Sequence, residues 1–383
     1  MMHFDRSDKS VLARWSREVD WWLLACILGL VMVGILLTLT ASPAVAERLG
    51  LGSFHFAKRQ FVFLSMGLCL IVGISLFSTA MIRRGAIIAF PILLLLLGLT
   101  LAIGPEYKGA QRWIQLGSFT LQPSEFMKPI FIVLTAWVLS ADFKAHNIPA
   151  KPLATLMWLI VIFFLVNQPD YGQTMLVSAV WLGQMALAGL PMIWLGMAGL
   201  SLVAGLYTAY LFVPHVANRI NNFLDPASGD TYQTDQALKA FENGGLIGTG
   251  PGEGSVKLHL PDAHTDYIFA VVGEEFGTIA CLVILALFAG IVVRGLSRLI
   301  EEENPFRMMA AAGLLMQFGL QAVINVGVNL ALLPSKGMTL PFISYGGSSM
   351  LALAIGMGMV LALTRRESEV RAEDAVDFGR QFR

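Results

Sequence analysis

The chain alternates long apolar runs with short polar connectors along most of its length. A helix needs about 20 consecutive apolar residues to cross the hydrocarbon core of a bilayer. Runs that reach or approach this length lie at about 20–41, 60–80, 85–103, 122–141, 153–168, 171–189, 191–213, 266–293, 306–333 and 346–364. Only 14% of the residues are charged, against about 25% in soluble domains. The sequence therefore predicts an all-α integral membrane protein with about ten transmembrane helices.

The fifth and sixth runs are short, and we expect them to form a tight hairpin around residues 168–170. The long connection at about 214–265 is polar and rich in glycine, which is typical of a functional or disordered loop. The net charge is zero, so bulk electrostatics gives no reason to expect a nucleic-acid partner.

The distribution of basic residues predicts the orientation in the membrane. Lys and Arg concentrate in alternate connectors, which the positive-inside rule assigns to the cytoplasm. These residues are Arg6, Lys9, Arg14, Arg17, Arg83, Arg84, Lys144, Lys151, Arg294, Arg298, Arg307, Arg365 and Arg366. We therefore predict a cytoplasmic segment 1–19, a ten-helix domain 20–366 with its large loop outside, and a cytoplasmic tail 367–383. Both termini are cytoplasmic in this arrangement.

Asp266 opens the eighth predicted helix at the outer interface. Gly273 and Gly277 lie on nearly the same helical face as Asp266. Their four-residue spacing predicts that this helix packs closely against a neighbouring element. Asp266 has two interpretations from spacing alone. It is either the N-cap of the helix, which is the commoner role, or a functional carboxylate, since ionisable residues at membrane depth are costly and often functional.

Two more polar pairs lie on the outer side. Glu125 and Lys128 are three residues apart and can form an ion pair on one helical face, either for self-neutralisation or as the wall of a wet cavity. Arg112 and Trp113 place a cation beside an interfacial aromatic ring. That pattern suits membrane anchoring, and arginine also suits phosphate.

The ninth predicted helix carries a polar stripe at four-residue intervals, namely Gln317, Gln321, Asn325 and Asn329. Such a stripe indicates interhelical hydrogen bonding more often than a transport path, and both interpretations stay open. The following loop, 333–349, combines Lys336 with glycines and hydroxyls that could hold an anion. Together the outer groups suit an anionic, lipid-linked polar substrate.

Several segments carry a family resemblance that covers essentially all ten predicted helices. They are Gly-Ala-Gln-Arg-Trp-Ile at 109–114, Gln-Pro-Ser-Glu at 122–125, Asn-Gln-Pro-Asp-Tyr-Gly at 167–172, Phe-Leu-Asp-Pro at 223–226, Pro-Asp-Ala-His-Thr-Asp-Tyr-Ile-Phe-Ala at 261–270 and Pro-Phe-Ile-Ser-Tyr-Gly-Gly-Ser-Ser at 341–349. The chain resembles the SEDS family (shape, elongation, division and sporulation). Segments 42–48, 272–275 and 335–340 resemble its division branch more than its elongation branch. Asp262 and Tyr267 depart from the usual Glu and Phe.

The resemblance implies a SEDS fold and a peptidoglycan glycosyltransferase that polymerises lipid II. It implies a cognate class B penicillin-binding transpeptidase (FtsI-type), other divisome proteins and membrane lipid as partners. The implied location is the bacterial cytoplasmic membrane at the division septum. Two alternatives stay open: a lipid II flippase that uses the polar stripe, and a non-catalytic divisome scaffold.

The family's catalytic aspartate matches Asp266, and the resemblance turns its interpretation from cap to catalyst. We predict lipid II or pyrophosphate contacts from a further set on the outer side: Arg112, Trp113, Glu125, Lys128, His264, Lys336, Ser344 and Tyr345. No cofactor is firmly implied, although Mg²⁺ or Mn²⁺ could assist the pyrophosphate.

Overall fold

A computed structural model describes residues 10–48, 50, 52, 54–106, 110–117, 119–142, 149–225 and 231–365. The predicted tail 367–383, together with Arg6, Lys9, Lys144 and Arg366, lies outside these ranges. The described residues form thirteen α-helices and one β-hairpin. In chain order they are α1 Val11–Glu18, α2 Trp21–Arg48, α3 His55–Ser75, α4 Thr79–Ile103, β1 Ile114–Leu116, β2 Phe119–Leu121, α5 Pro123–Leu139, α6 Ala150–Asn167, α7 Tyr171–Leu187, α8 Met192–Phe212, α9 Pro214–Leu224, α10 Tyr232–Gly244, α11 Ile268–Leu299, α12 Pro305–Asn329 and α13 Gly347–Leu363.

Each of the ten predicted spans corresponds to one helix of the described chain, α2–α8 and α11–α13. Seven of the described helices are long and apolar enough to cross a membrane by length and composition. The other three, α5, α7 and α13, have 17 residues each, about 25 Å at 1.5 Å per residue. That length is at the lower end of the spanning range. The predicted all-α membrane fold is confirmed.

The predicted hairpin between the fifth and sixth spans is also confirmed. Helix α6 ends at Asn167 and α7 begins at Tyr171. The Asp170 side chain caps α7 by accepting a hydrogen bond from the Gln173 amide at 3.4 Å. Because α5 and α6 run in opposite directions through the bundle, the turn between α6 and α7 lies at the same end as the start of α5.

The connection 214–265 is more ordered than the sequence predicted. It contains α9, α10 and a short 3₁₀ turn, Val256–Leu258. Helix α10 buries Ala237, Ala240 and Gly244 on one face, because this three-to-four spacing places small residues on one side of a helix. An added Cβ on Gly244 would lie 1.9 Å from the Gly273 carbonyl oxygen, so α10 packs directly on α11.

Helix α11 is interrupted at Gly277, which has φ 77° and ψ 178°. The carbonyls of Glu274 and Glu275 accept hydrogen bonds from the Thr249 and Gly250 amides, at 2.9 and 3.0 Å. An added Cβ on Gly277 would lie 2.4 Å from the Leu246 carbonyl oxygen. The close packing predicted at Gly277 is therefore confirmed, but the neighbour is the loop after α10. The interruption also means that the regular helical face predicted from Asp266 to Gly277 is wrong.

The side chains beside this interruption hold the same loop. The Glu274 carboxylate accepts hydrogen bonds from Asn243 Nδ2 at 3.0 Å, the Val256 amide at 2.7 Å and the Lys257 amide at 2.9 Å. The Lys257 ammonium forms a buried ion pair with Glu275. The extramembrane segment is therefore bound to α11 through the carboxylates of Glu274 and Glu275.

The opposite end of the bundle carries a cluster of arginines. The Asp20 carboxylate, at the start of α2, pairs with Arg294 at 2.9 Å and Arg298 at 2.5 Å, near the end of α11. Arg307 Nε, at the start of α12, donates to the Leu363 carbonyl at the end of α13 at 3.0 Å. These helix ends thus meet on one side, in agreement with the prediction that both termini lie on the same face. The positive-inside rule assigns that face to the cytoplasm.

Candidate active site

A cavity of about 460 Å³ lies at the end of the bundle opposite the arginine cluster. The polar and aromatic side chains around it come from seven separate parts of the chain. They include Arg112, Trp113, Gln122, Glu125, Arg219, Asp262, Asp266, Lys336, Tyr345 and Ser348. The cavity therefore collects cations, carboxylates and hydroxyls at the mouth of a membrane domain.

Asp266 lines this cavity from the segment that precedes α11. The helix begins at Ile268 and its N-cap is Tyr267, which makes no side-chain capping bond. The interpretation of Asp266 as the N-cap is therefore wrong. Its carboxylate faces the loop that carries Lys336, since an added Cβ on Gly337 would lie 3.3 Å from Asp266 Oδ2.

The polar stripe on α12 fixes the backbone of Asp266. The Nδ2 groups of Asn325 and Asn329 each donate to the Asp266 carbonyl oxygen at 2.9 Å. Asn329 Oδ1 accepts from the Ala270 amide at 3.1 Å. Gln321 Nε2 donates to the Thr339 carbonyl at 3.0 Å. Three of the four stripe residues therefore hold the loops around the cavity, as the hydrogen-bonding interpretation predicted.

Arg112 enters the cavity just before β1 and is held by the α6–α7 turn. Its Nε donates to the Gln168 carbonyl at 3.2 Å, and a terminal nitrogen donates to the Pro169 carbonyl. A second terminal nitrogen lies 3.7 Å from Asp170 Oδ1. These contacts leave the guanidinium partly exposed, at 24% for the side chain, on the cavity wall.

Glu125 and Lys128 form the predicted ion pair, at 2.9 Å. The other Glu125 oxygen accepts from Gln173 Nε2 at 2.6 Å, and Lys128 Nζ donates to Gln321 Oε1 at 3.2 Å. Glu125 lines the cavity, but Lys128 is only 1% exposed and lies beneath it. The structure therefore places Lys128 in the support of the site and away from direct contact with a ligand.

His264 and Ser344 also lie behind the cavity wall. The His264 ring packs against Phe56 and Tyr345, with centroids 4.7 and 5.5 Å away. Ser344 Oγ donates to the Thr265 carbonyl at 2.5 Å, and the Tyr345 amide donates to the His264 carbonyl at 2.9 Å. These residues join the Asp266 segment to the loop before α13, and of the three only Tyr345 lines the cavity.

Lys336 lines the cavity from the loop between α12 and α13. Its Nζ lies 2.8 Å from Met175 Sδ on α7. Burial, and then the nearby charge of Arg219, lower the pKa of Lys336 below its ordinary value. The ammonium is therefore a cation in surroundings that favour an anionic ligand.

Sequence reasoning missed several residues of the cavity, above all Arg219. This side chain comes from α9, in the connection that the sequence predicted as a loop. The four-residue spacing of Val216 and Ile220 could have indicated an amphipathic helix there. Ser348 belongs to the predicted loop of glycines and hydroxyls; its hydroxyl accepts from the Gln122 amide at 3.1 Å and links the start of α13 to the start of α5.

A family model described as "Cell cycle protein", FtsW/RodA/SpoVE, matches residues 20–369. The chain belongs to this family. It is 43% identical over 380 residues to the probable peptidoglycan glycosyltransferase FtsW of Caulobacter vibrioides, with 98% of this chain and 97% of that protein covered. It is 36% identical to the protein of the same name in Coxiella burnetii, with 91% and 96% covered. The predicted resemblance to the division branch of the family is confirmed by these FtsW relatives.

Solved structures of family members share the fold. A chain from a peptidoglycan synthase complex that coordinates polymerization and crosslinking superposes with a TM-score of 0.74 and 28% identity, covering 90% of this chain and 97% of that one. The rod shape determining protein RodA of Thermus thermophilus gives a TM-score of 0.68 and 26% identity, covering 91% and 98%. The FtsW/RodA/SpoVE fold is therefore the fold of this chain.

The divalent cation considered from the sequence would need a group of protein ligands. Among the described residues, no group of three or more His, Cys, Asp or Glu side chains could hold a metal ion. Asp262, Asp266 and Glu125 line the same cavity, but Glu125 is already paired with Lys128. A role for Mg²⁺ or Mn²⁺ stays a prediction from the sequence.

Proposed function

We propose that this protein is a peptidoglycan glycosyltransferase that polymerises lipid II at the division septum. One observation carries the proposal: Asp266, whose backbone is held by Asn325 and Asn329, shares a cavity with Arg112 and Lys336 at the outer end of a membrane domain. This position suits a substrate whose prenyl tail stays in lipid and whose sugars and pyrophosphate reach water. The names of the FtsW relatives support the same activity.

The reaction would transfer a sugar from one lipid-linked molecule to another. The 4-hydroxyl oxygen of the acceptor attacks C1 of the donor, and the new C1–O bond forms as the bond between C1 and the pyrophosphate oxygen breaks. The electron pair leaves with the prenyl pyrophosphate. One displacement converts the α-linked donor into a β-1,4 product with inversion, as in inverting glycoside chemistry.

Asp266 is the general base in this scheme, and its carboxylate takes the proton of the attacking hydroxyl. A positioned base contributes about 10²–10⁴-fold to such a reaction. The hydrogen bonds from Asn325 and Asn329 to its carbonyl support this role, because they limit the movement of the backbone that carries the carboxylate.

The leaving group needs stabilisation of negative charge more than it needs a proton. Arg112 and Lys336 are suited to this, since a guanidinium and an ammonium both bind phosphate oxygens strongly. Glu125 is occupied by Lys128 and Gln173, so it orients the site. Trp113 is suited to the lipid–water boundary, where aromatic side chains are enriched.

The proposed partner is a class B penicillin-binding transpeptidase that acts beside this chain in the cytoplasmic membrane. The support is the likeness to a chain from a synthase complex that coordinates polymerization and crosslinking. Transport is less favoured than polymerisation, because Gln321, Asn325 and Asn329 are buried and engaged with backbone carbonyls. Side chains whose donors are already bonded to backbone carbonyls have few hydrogen-bonding groups left for a lipid headgroup that crosses the membrane.

A reconstitution experiment tests the proposal. The full chain, with and without its transpeptidase, is placed in liposomes that carry fluorescent lipid II on the face exposed to the Asp266 cavity. We expect glycan polymer on gels. Lipid II that crosses the bilayer without forming polymer would indicate a flippase. Absence of both activities with the partner present would favour the scaffold, and either result would overturn the proposal.

A further inference from the structure

Helix α9 brings a third cation to the cavity. It lies outside the membrane helices and carries Arg219, which lines the cavity together with Arg112 and Lys336. Its hydrogen-bonded neighbour is α8, since Tyr210 Oη donates to Asn221 Oδ1 at 3.0 Å. Helix α8 has no buried residue among those described. Arg219 therefore belongs to a peripheral helix pair, whereas Asp266 and Lys336 belong to segments fixed by α12.

The charges around Arg219 are those of the candidate site. Burial, and then the charge of Arg112, lower the pKa of Arg219, while Asp266 and Asp170 act in the opposite direction. Arg219 in turn lowers the pKa of Lys336. Arg219, which lines the same cavity as Arg112 and Lys336, is therefore repelled by the charges of both.

In the part of the chain that the structure describes, only one of these three cations has a carboxylate as an ion-pair partner. Arg112 has Asp170 at 3.7 Å. Within the described ranges, no carboxylate lies within ion-pair distance of Arg219 or Lys336. Holding like charges together in a partly dry cavity is unfavourable unless an anion binds between them. A pyrophosphate, with several oxygens and more than one negative charge, has the charge and geometry for this arrangement.

We propose that Arg219 is a third ligand of the donor pyrophosphate, delivered to the site by the α8–α9 pair. This inference rests on the proposed glycosyl transfer. As the C1–O bond breaks, the electron pair moves onto the pyrophosphate oxygen, and Arg219 shares the new charge with Arg112 and Lys336. Because α8 buries none of its described residues, the position of this helix pair decides whether the third cation is present.

The test compares Arg219→Gln and Arg219→Lys with Lys239→Gln, which removes an exposed cation from α10 away from the cavity. Each full-length protein is assayed in liposomes for the rate of polymerisation of lipid II. Undecaprenyl pyrophosphate and undecaprenol serve as competing probes. We expect Arg219→Gln to lower kcat on the order of 100-fold, comparable to the loss of one transition-state hydrogen-bond donor.

The probes separate charge recognition from packing. Inhibition by undecaprenyl pyrophosphate should weaken at least about tenfold in Arg219→Gln, which is the order of one charged contact, and inhibition by undecaprenol should not change. Arg219→Lys should recover part of both kcat and pyrophosphate inhibition, and Lys239→Gln should match the wild type. Equal weakening for both probes, or unchanged pyrophosphate inhibition, would overturn the inference. Failure of the wild type itself to polymerise lipid II would instead contradict the proposed function.

Discussion

The Asn325 side chain joins the candidate base to the loop that carries its cationic neighbour. Its Nδ2 donates to the Asp266 carbonyl at 2.9 Å and to the Met338 carbonyl at 2.6 Å. A primary amide has two N–H groups and can serve both acceptors. One buried side chain therefore bridges Asp266 and the loop that carries Lys336.

Replacing Asn325 should reduce catalysis more than substrate binding. Asn325→Ala leaves the Met338 carbonyl without the donor that Asn325 supplies, at a cost of about 1–3 kcal/mol, while the Asp266 carbonyl keeps its hydrogen bond from Asn329. The two segments then lose the side chain that joins them and can separate. We expect kcat to fall at least about tenfold with a smaller change in KM. Gln317→Ala, on the same stripe but without a bond to either loop, should retain the wild-type rate. An equal fall in kcat in both variants would show that the effect comes from removing a buried polar side chain of α12 and not from losing the contact with the loops.

Asp266→Asn should abolish polymer formation while the protein stays folded in the membrane. The amide keeps the size of the side chain but cannot accept a proton, and the loss should reach about 10²–10⁴-fold. Asp235→Asn on exposed α10 is the matched control. Gel analysis of glycan from purified proteins measures the effect. A normal polymer yield from Asp266→Asn would exclude it as the base.

Binding of lipid II should weaken at alkaline pH, because Lys336 then loses its positive charge. The pKa of Lys336 is lowered by burial and by Arg219, so rising pH removes the ammonium earlier than for an ordinary lysine and KM for lipid II should increase. Lys336→Arg should move this limit to higher pH. Arg219→Gln should also move it upward, because one source of repulsion is gone. Profiles of KM against pH that coincide for all three proteins would contradict this role of Lys336.

The interruption of α11 should tolerate only glycine. Gly277→Ala introduces a Cβ 2.4 Å from the Leu246 carbonyl at a positive φ, and such backbone costs about 1–3 kcal/mol before the clash is counted. We expect a lower unfolding temperature in detergent. Gly290→Ala lies in the regular part of the same helix, where an added Cβ would meet Cys26 Sγ at an ordinary contact distance of 3.9 Å. This variant should be neutral or stabilising by about 0.5–1 kcal/mol. Similar unfolding temperatures for both variants would show that the interruption is not required.

The buried pair of Glu125 and Lys128 should behave as a structural unit. Lys128→Met leaves the Glu125 carboxylate without its cation, and breaking such a pair typically costs about 3–5 kcal/mol. The double variant Glu125→Gln/Lys128→Met should recover most of that stability in a thermal unfolding assay. If Lys128→Met is stable but binds lipid II weakly, Lys128 acts on the substrate directly.

All the predicted site residues carry a local signal in the sequence, but only some of them line the cavity. Asp266, Arg112 and Lys336 each belong to a short motif beside a predicted helix, and all three line the cavity. Lys128 and His264 have equally strong local signals but lie behind the wall. Their placement depends on partners far along the chain, such as Gln321, 193 residues from Lys128.

The spans, their sidedness and the family were determined by the sequence alone, because hydrophobic length, basic connectors and motifs are local properties. Only the tertiary structure decided which polar residues face the cavity and which support it. It also revealed that α9 carries Arg219 into the site and that α11 is interrupted at Gly277. Both features arise from contacts between segments distant in sequence, which satisfy buried backbone and charged groups in ways that no single helix can.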